Sequence, residues 1–144
     1  MADPIGLAMR LTSLADYAVV MLTAAARHQG EGWLSASAMA DETGVPLATA
    51  QRLSGRLAAA GLLRSSRGSD GGFTLARAAE EISLADIVEA VEGPIAMTSC
   101  SEQGRHDCVL EPDCRVRPHW GAVNGAIKGA LAGVTLASLA GAPA

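Results

Sequence analysis

Residues 40–76 read ADETGVPLATAQRLSGRLAAAGLLRSSRGSDGGFTLA, and their punctuation decides the fold. Gly44-Val45-Pro46 is a tight turn, because glycine supplies the left-handed residue that ends one helix and proline presets the φ that starts the next. A helix is therefore predicted from about Leu47 to Ala60 with Gly61 as its stop, and Ala50, Leu53, Leu57 and Ala60 fall at inward-facing helical spacing. Ahead of the turn, Ser35 or Ser37 caps a shorter helix ending at Thr43, and Trp33-Leu34 before it can form a very short strand. Two short helices about a glycine-containing turn read as a helix-turn-helix. Residues 62–67 and 73–75 then form two short strands about a glycine-rich tip at 68–72. In this position the hairpin is a wing.

Toward the N-terminus, Thr12 or Ser13 caps a helix to about His28, with Leu14, Tyr17, Ala18, Met21 and Ala25 on one face. Residues 1–8 (MADPIGLA) lack periodicity and read as a disordered leader. Toward the C-terminus, Ser83 and Asp86 form a capping-box start for a helix through Ile87, Val88 and Val91 to Gly93. Pro118 opens a last long helix in which Trp120, Val123, Ile127, Leu131 and Val134 recur at steps of three and four. Gly121, Gly125, Gly129 and Gly133 recur at steps of four. Each glycine costs about 1 kcal/mol against alanine inside a helix, so the stripe needs a reason. Close approach of the same helix of a second subunit supplies one; a frayed helix is the plain alternative.

The expected fold class is mainly α with a small β-hairpin wing: a winged helix-turn-helix plus a long C-terminal dimerisation helix. The expected organisation is a leader at 1–8, the DNA-binding domain at 9–78, a connecting helix and cysteine loop at 79–117, and the dimerisation helix with its tail at 118–144.

The chain has 144 residues, 49% hydrophobic but only 3% aromatic, so its core must be built from Leu, Val, Ile and Ala. No apolar run approaches the roughly 20 residues of a membrane span, and no signal-peptide pattern opens the chain. Three cysteines without a secretion signal argue for a reducing, cytoplasmic setting rather than a disulfide framework. The net charge of −4 is unevenly spread: residues 34–77 carry five Arg against three acids, and residues 78–118 three Arg against nine acids. A basic segment in an acidic chain can bind phosphates locally. Thr49, Gln51, Arg52 and Arg56 lie on the helix side opposite its apolar face, and Arg64 and Arg67 flank the wing tip. Arg reads guanine and Gln reads adenine by bidentate pairs, while wing arginines suit a phosphate backbone or minor groove. Double-stranded DNA is the expected partner, with no membrane and no small-molecule substrate. No nucleotide loop or acid–base constellation is present, so an enzyme is not expected.

All three cysteines fall within CSEQGRHDCVLEPDC at residues 100–114, spaced C-x7-C-x5-C, with Gly104 and Pro112 inside the loop and Pro118 just beyond. Thiolates are soft ligands that favour iron–sulfur clusters and zinc. Zinc sites usually pair their ligands at C-x2–4-C spacing, which is absent, so zinc or bare-thiol redox sensing is the alternative.

MRLTSLADYAVVML at 9–22, RSSRGSDGGFTLAR at 64–77, ISLADIVEAVEGP at 82–94 and the cysteine loop resemble the winged-helix regulator family of IscR, NsrR and RirA. LADYAVV and CRVRPHW are most similar to the branch that regulates SUF iron–sulfur assembly, and Met9 matches the usual start of such proteins. The resemblance implies a homodimeric transcription factor, expected to be a repressor of Fe–S assembly (suf) or iron genes. In it Cys100, Cys108 and Cys114 hold a 2Fe-2S or 4Fe-4S cluster and Arg67 enters the minor groove. Two positions depart from IscR: Arg117 stands where it has a histidine ligand, and Gln51 where it has a recognition-helix glutamate.

The fourth ligand stays open among several donors. Asp16 lies where NsrR-like members place a carboxylate contributed by the opposite subunit, though three residues after Ser13 it also suits a capping box. His119 lies five residues past Cys114, and His106 lies inside the loop. Water or a small thiol completes the set of candidates.

Overall fold

The computed structural model describes residues 10–66, 71–98, 100 and 106–141. The leader at 1–8 and Arg67 lie outside the described residues. Among the described residues six helices and one hairpin follow in order: α1 (Ser13–Arg27), α2 (Ala36–Thr43), α3 (Leu47–Ala59), β1 (Leu63–Ser65), β2 (Phe73–Leu75), α4 (Leu84–Glu92), α5 (Arg117–Ala132) and α6 (Leu136–Gly141). Short 3-10 turns over Ala79–Glu81 and Glu111–Asp113 fill two connections.

The caps explain why the helices start where they do. Thr12 Oγ1 accepts from Ala15 N–H at 3.1 Å, and Ser35 Oγ accepts from Ala38 N–H at 3.0 Å. Ser83 and Asp86 exchange both capping-box bonds, at 3.1 and 2.9 Å. Such caps contribute about 1 kcal/mol each. Asp16 is not a capping-box partner: Thr12 rather than Ser13 is the cap, so Asp16 falls one residue beyond the capping-box position and is exposed. Gly44 ends α2 in the left-handed region at φ 85°, and Pro46 precedes α3, as the turn chemistry predicts.

The hairpin pairs Leu63 with Leu75, Arg64 with Thr74 and Ser65 with Phe73. Leu34 adds a third, one-residue edge, exchanging bonds of 2.9 and 2.8 Å with Phe73. That approach is close: a Cβ on Gly72 would stand 2.9 Å from the Leu34 carbonyl, so only glycine fits.

One core joins all the helices but α5. Ala18, Met21 and Leu22 of α1 meet Met39 of α2, Leu53 and Leu57 of α3, Leu62, Leu63 and Leu75 around the wing, Ile82, and Ile87 of α4. Ala60 is exposed, contrary to its apolar spacing, because α3 ends at Ala59 and the inward side passes through Ser54 instead. At the far side of the motif, Glu42 of α2 clasps the end of α1: His28 Nε2 lies 2.6 Å from its Oε1. The hydrogen-bonded carboxylate raises the His28 pKa.

The predicted last helix is two helices. α5 stops at Ala132, and residues 133–135 turn the chain so that Thr135 bridges Ser83 and Leu136 N–H donates to Ile82 O at 2.7 Å. Leu136 is fully buried in the core, beside α1. On α5, Ile127 and Leu131 do not face outward but line a groove of about 430 Å3 with Val88 of α4. The face left open carries the glycines.

Candidate functional site

α3 presents Gln51, Arg52 and Arg56 to solvent, with Thr49 half-buried at their edge. The pattern follows from the inward run Ala50, Leu53, Ser54 and Leu57, which turns the intervening positions outward. Arg64 is exposed on β1, in the strand that the hairpin holds beside α3. Among the described residues, none of Arg52, Arg56 or Arg64 enters an ion pair. Their charges are uncompensated by neighbouring carboxylates and available to phosphate oxygens or base edges.

The cysteine loop follows α4 in the chain and leads into α5. Cys100, Cys108 and Cys114 are all free and half-buried. The Thr98 hydroxyl is 3.3 Å from Cys100 Sγ, and Cys114 follows the 3-10 turn that precedes α5. The donor set therefore fits an iron–sulfur cluster in kind: three soft thiols on one loop, none consumed by a disulfide. Among the described residues, no three Cys, His, Asp or Glu side chains are gathered as a metal-ion site. Binding a cluster requires the loop to draw its thiols together.

The structure separates the histidine candidates. His106 Nδ1 is bound to Glu111 Oε1 at 2.5 Å, and Arg117 Nη2 approaches the same oxygen at 3.5 Å. His106 is thereby part of a polar cluster at the base of the loop. His119 is exposed in the first turn of α5, its backbone N–H donating to Val116 O at 2.9 Å. Asp16 is exposed in the first turn of α1. Between two thiols, Val109 and Leu110 stand out at 92% and 66% exposure.

Three polar side chains, Thr12, Glu89 and Asn124, make contacts that escape the linear pattern. Thr12 Oγ1 donates to Glu92 Oε1, tying the start of α1 to the end of α4. Glu89 of α4 accepts from Ile95 N–H at 3.1 Å through Oε2 while Oε1 lies 3.4 Å from Lys128 Nζ. Asn124 of α5 donates from Nδ2 to Ile95 O at 2.9 Å and accepts from Met97 N–H at 3.0 Å. One signal could have found Asn124: it is the single amide in GAVNGAIKGALAG, residues 121–133. Among the described residues, no helix is long and apolar enough to cross a membrane.

The Rrf2 family, described as iron-dependent transcriptional regulator, matches residues 11–142. The HTH-type transcriptional regulator IscR of Serratia proteamaculans is 34% identical over 131 residues, covering 91% of this chain and 79% of that protein. Among solved structures, CymR of B. subtilis, its global cysteine regulator, superposes with a TM-score of 0.72 at 26% identity, covering 95% of this chain and 100% of that one. IscR of T. potens superposes at 0.69 and 28% identity, covering 95% and 88%. These relatives are regulators rather than enzymes, and their winged-helix architecture is the one described above. The chain belongs to the Rrf2 family of transcriptional regulators.

Proposed function

We propose that the chain is a homodimeric, DNA-binding repressor whose Cys100, Cys108 and Cys114 hold an iron–sulfur cluster reporting iron supply, cluster supply or redox and nitric oxide stress. The observation that carries the DNA half is the unpaired Arg52 and Arg56 on the open face of α3, with Arg64 on the adjacent wing. Support for the cluster half is the set of three free thiols on one loop in a chain of the Rrf2 family. When bound, the cluster supplies an iron-dependent, oxidant-sensitive centre whose gain or loss distinguishes two states of the protein.

The chain's own residues supply the rest of the mechanism. Gln51, Arg52 and Arg56 read or steer on the duplex, while Arg64 and Arg67 bind backbone or minor groove. A fourth donor, either Asp16 of the second copy or His119, completes ligation. The targets in this reading are genes of iron–sulfur assembly or iron handling. Pulling Cys100 toward Cys114 changes the tension between α4 and α5, and α4 is joined to the wing by the Arg77–Asp86 pair at 3.7 Å.

Anaerobically purified protein tests the reading. It should show visible cluster absorbance, lost in Cys100→Ala, Cys108→Ala and Cys114→Ala. Operator affinity should differ at least about tenfold between loaded and apo forms, the ratio set by a 1.4 kcal/mol preference. Colourless protein with stoichiometric zinc, or with none and thiol-dependent DNA binding, replaces the cluster by the alternative sensor. Only the bare-thiol form of that alternative works with the thiols as they stand, since among the described residues no three donors are gathered.

The dimer rests on α5. A Cβ placed on Gly121, Gly125 or Gly129 meets nothing within 4 Å beyond the neighbouring backbone of its own helix, so packing inside the subunit does not require these glycines. A second α5 laid on that face does require them. Gly125→Leu should leave the monomer folded and give monomers by sedimentation velocity. On an open helix face the same change would only raise helix propensity, by up to about 1 kcal/mol, and an unchanged dimer would remove the seam.

A further inference from the structure

We infer that Asn124 is a positioning residue for Cys100: its amide clamps the strap at residues 95–97 onto α5 and so fixes the thiol's distance from the start of that helix. This inference rests on the three-cysteine centre proposed above. An Asn side chain is a peptide group on a short stem, and here it pairs as a neighbouring strand would. It donates to the Ile95 carbonyl at 2.9 Å and accepts from the Met97 amide, two residues on, at 3.0 Å. The remaining Ile95 N–H is held by Glu89 Oε2 at 3.1 Å, and Glu89 is itself oriented by Lys128 of α5 at 3.4 Å. Side chains of α4 and α5 thus occupy three backbone groups, two on Ile95 and one on Met97. Each would otherwise be solvated, and half-buried Ile95 adds an apolar contact by lining the groove with Val88, Ile127 and Leu131.

The strap ends at Thr98, whose hydroxyl lies 3.3 Å from Cys100 Sγ. Cys114 is three residues ahead of Arg117, where α5 begins, and Asn124 sits roughly two turns further along the same helix. Both ends of the cysteine loop are therefore referenced to the first half of α5, one covalently and one through Asn124. A loop whose ends are already held loses less entropy when its thiols converge. Asn124 does not touch the metal; it lowers the cost of gathering the ligands.

Reduced apoprotein titrated anaerobically with Co(II) provides the test, read by the thiolate-to-cobalt charge-transfer band. Asn124→Ala should weaken cobalt binding roughly three- to tenfold, the factor carried by one or two ordinary hydrogen bonds. In a Cys100→Ser background the same substitution should change affinity less than twofold, because its effect passes through that thiol. Glu89→Ala, which opens the Ile95 N–H contact and the exposed Lys128 pair but leaves both Asn124 bonds, should give a smaller loss in the same direction and serves if Asn124→Ala lacks native helix content. Unchanged affinity in the parent background, tighter binding, or an equal loss in both backgrounds overturns the clamp. A parent protein with no thiolate–cobalt band removes the three-cysteine centre itself, and the clamp with it. A parent that shows the band while Asn124→Ala has no effect removes the clamp alone.

Discussion

Arg52→Ala should weaken binding to an operator, selected from random duplexes with the parent protein, by roughly 5- to 150-fold at fixed salt. The range is that of one bidentate base contact, and the loss should come with relaxed preference at a single base pair. Arg56 lies one turn further along the same exposed face of α3. Recognition helices in this motif contact bases mainly through their N-terminal residues, so Arg56 is expected to meet phosphate. Arg56→Ala should then weaken binding uniformly across sequences and lower the salt slope by about one. Arg64→Ala on the wing strand should behave like Arg56→Ala. The assay separates the roles cleanly: if Arg52→Ala and Arg56→Ala both match the parent in affinity and salt slope, α3 is not the DNA-reading surface. If Arg52→Ala weakens binding without relaxing preference, its contact is to backbone.

That surface was legible in the sequence because its signals are local. Gly44-Val45-Pro46, Ser35, the Ser83–Asp86 box and the two wing strands each act through groups a few residues apart; the caps form as their chemistry requires and the strands pair. The periodicity of α3 then sorts its arginines outward. What was not legible depends on partners far along the chain. Val134 continues the apolar spacing of α5, and Gly133 continues the glycine spacing, so nothing local marks the break before α6. The break is set by the pairing of Thr135 with Ser83, fifty-two positions away. Likewise Thr12 looked like a cap and is one, but its hydroxyl hydrogen also serves Glu92 at the end of α4. For the cysteines, spacing identifies the donor chemistry and says nothing about how the loop closes, since Gly104 and Pro112 leave its path to contacts such as His106–Glu111.

Leu136→Ala should destabilise the protein by about 2–5 kcal/mol, although it lies in what the sequence presents as a tail. The side chain is fully buried, in one cluster with Met21, Leu22, Ile82 and Ile87. Truncating it leaves a cavity where α6 packs against α1 and the turn over Ala79–Glu81, and α1 is held at its start by Thr12–Glu92. Against a typical total of 5–15 kcal/mol, such a loss should lower Tm by roughly 10 °C in a chain of this size. Protein concentration must be fixed in the comparison, since the proposed dimerisation would contribute to apparent stability. Half-buried Leu139, one turn on, is the control and should lose much less. The consequence reaches DNA binding. α5 is tied to the DNA-binding body at its far end by the Ser83–Thr135 bridge and Leu136, and along its length by Asn124 and Lys128. Freed at the far end, it transmits less of any change in the cysteine loop. Leu136→Ala at a temperature where it remains folded should therefore bind operator with a smaller difference between loaded and apo forms. A variant that keeps the parent Tm shows that α6 is an appendage, and α5 then needs some other anchor.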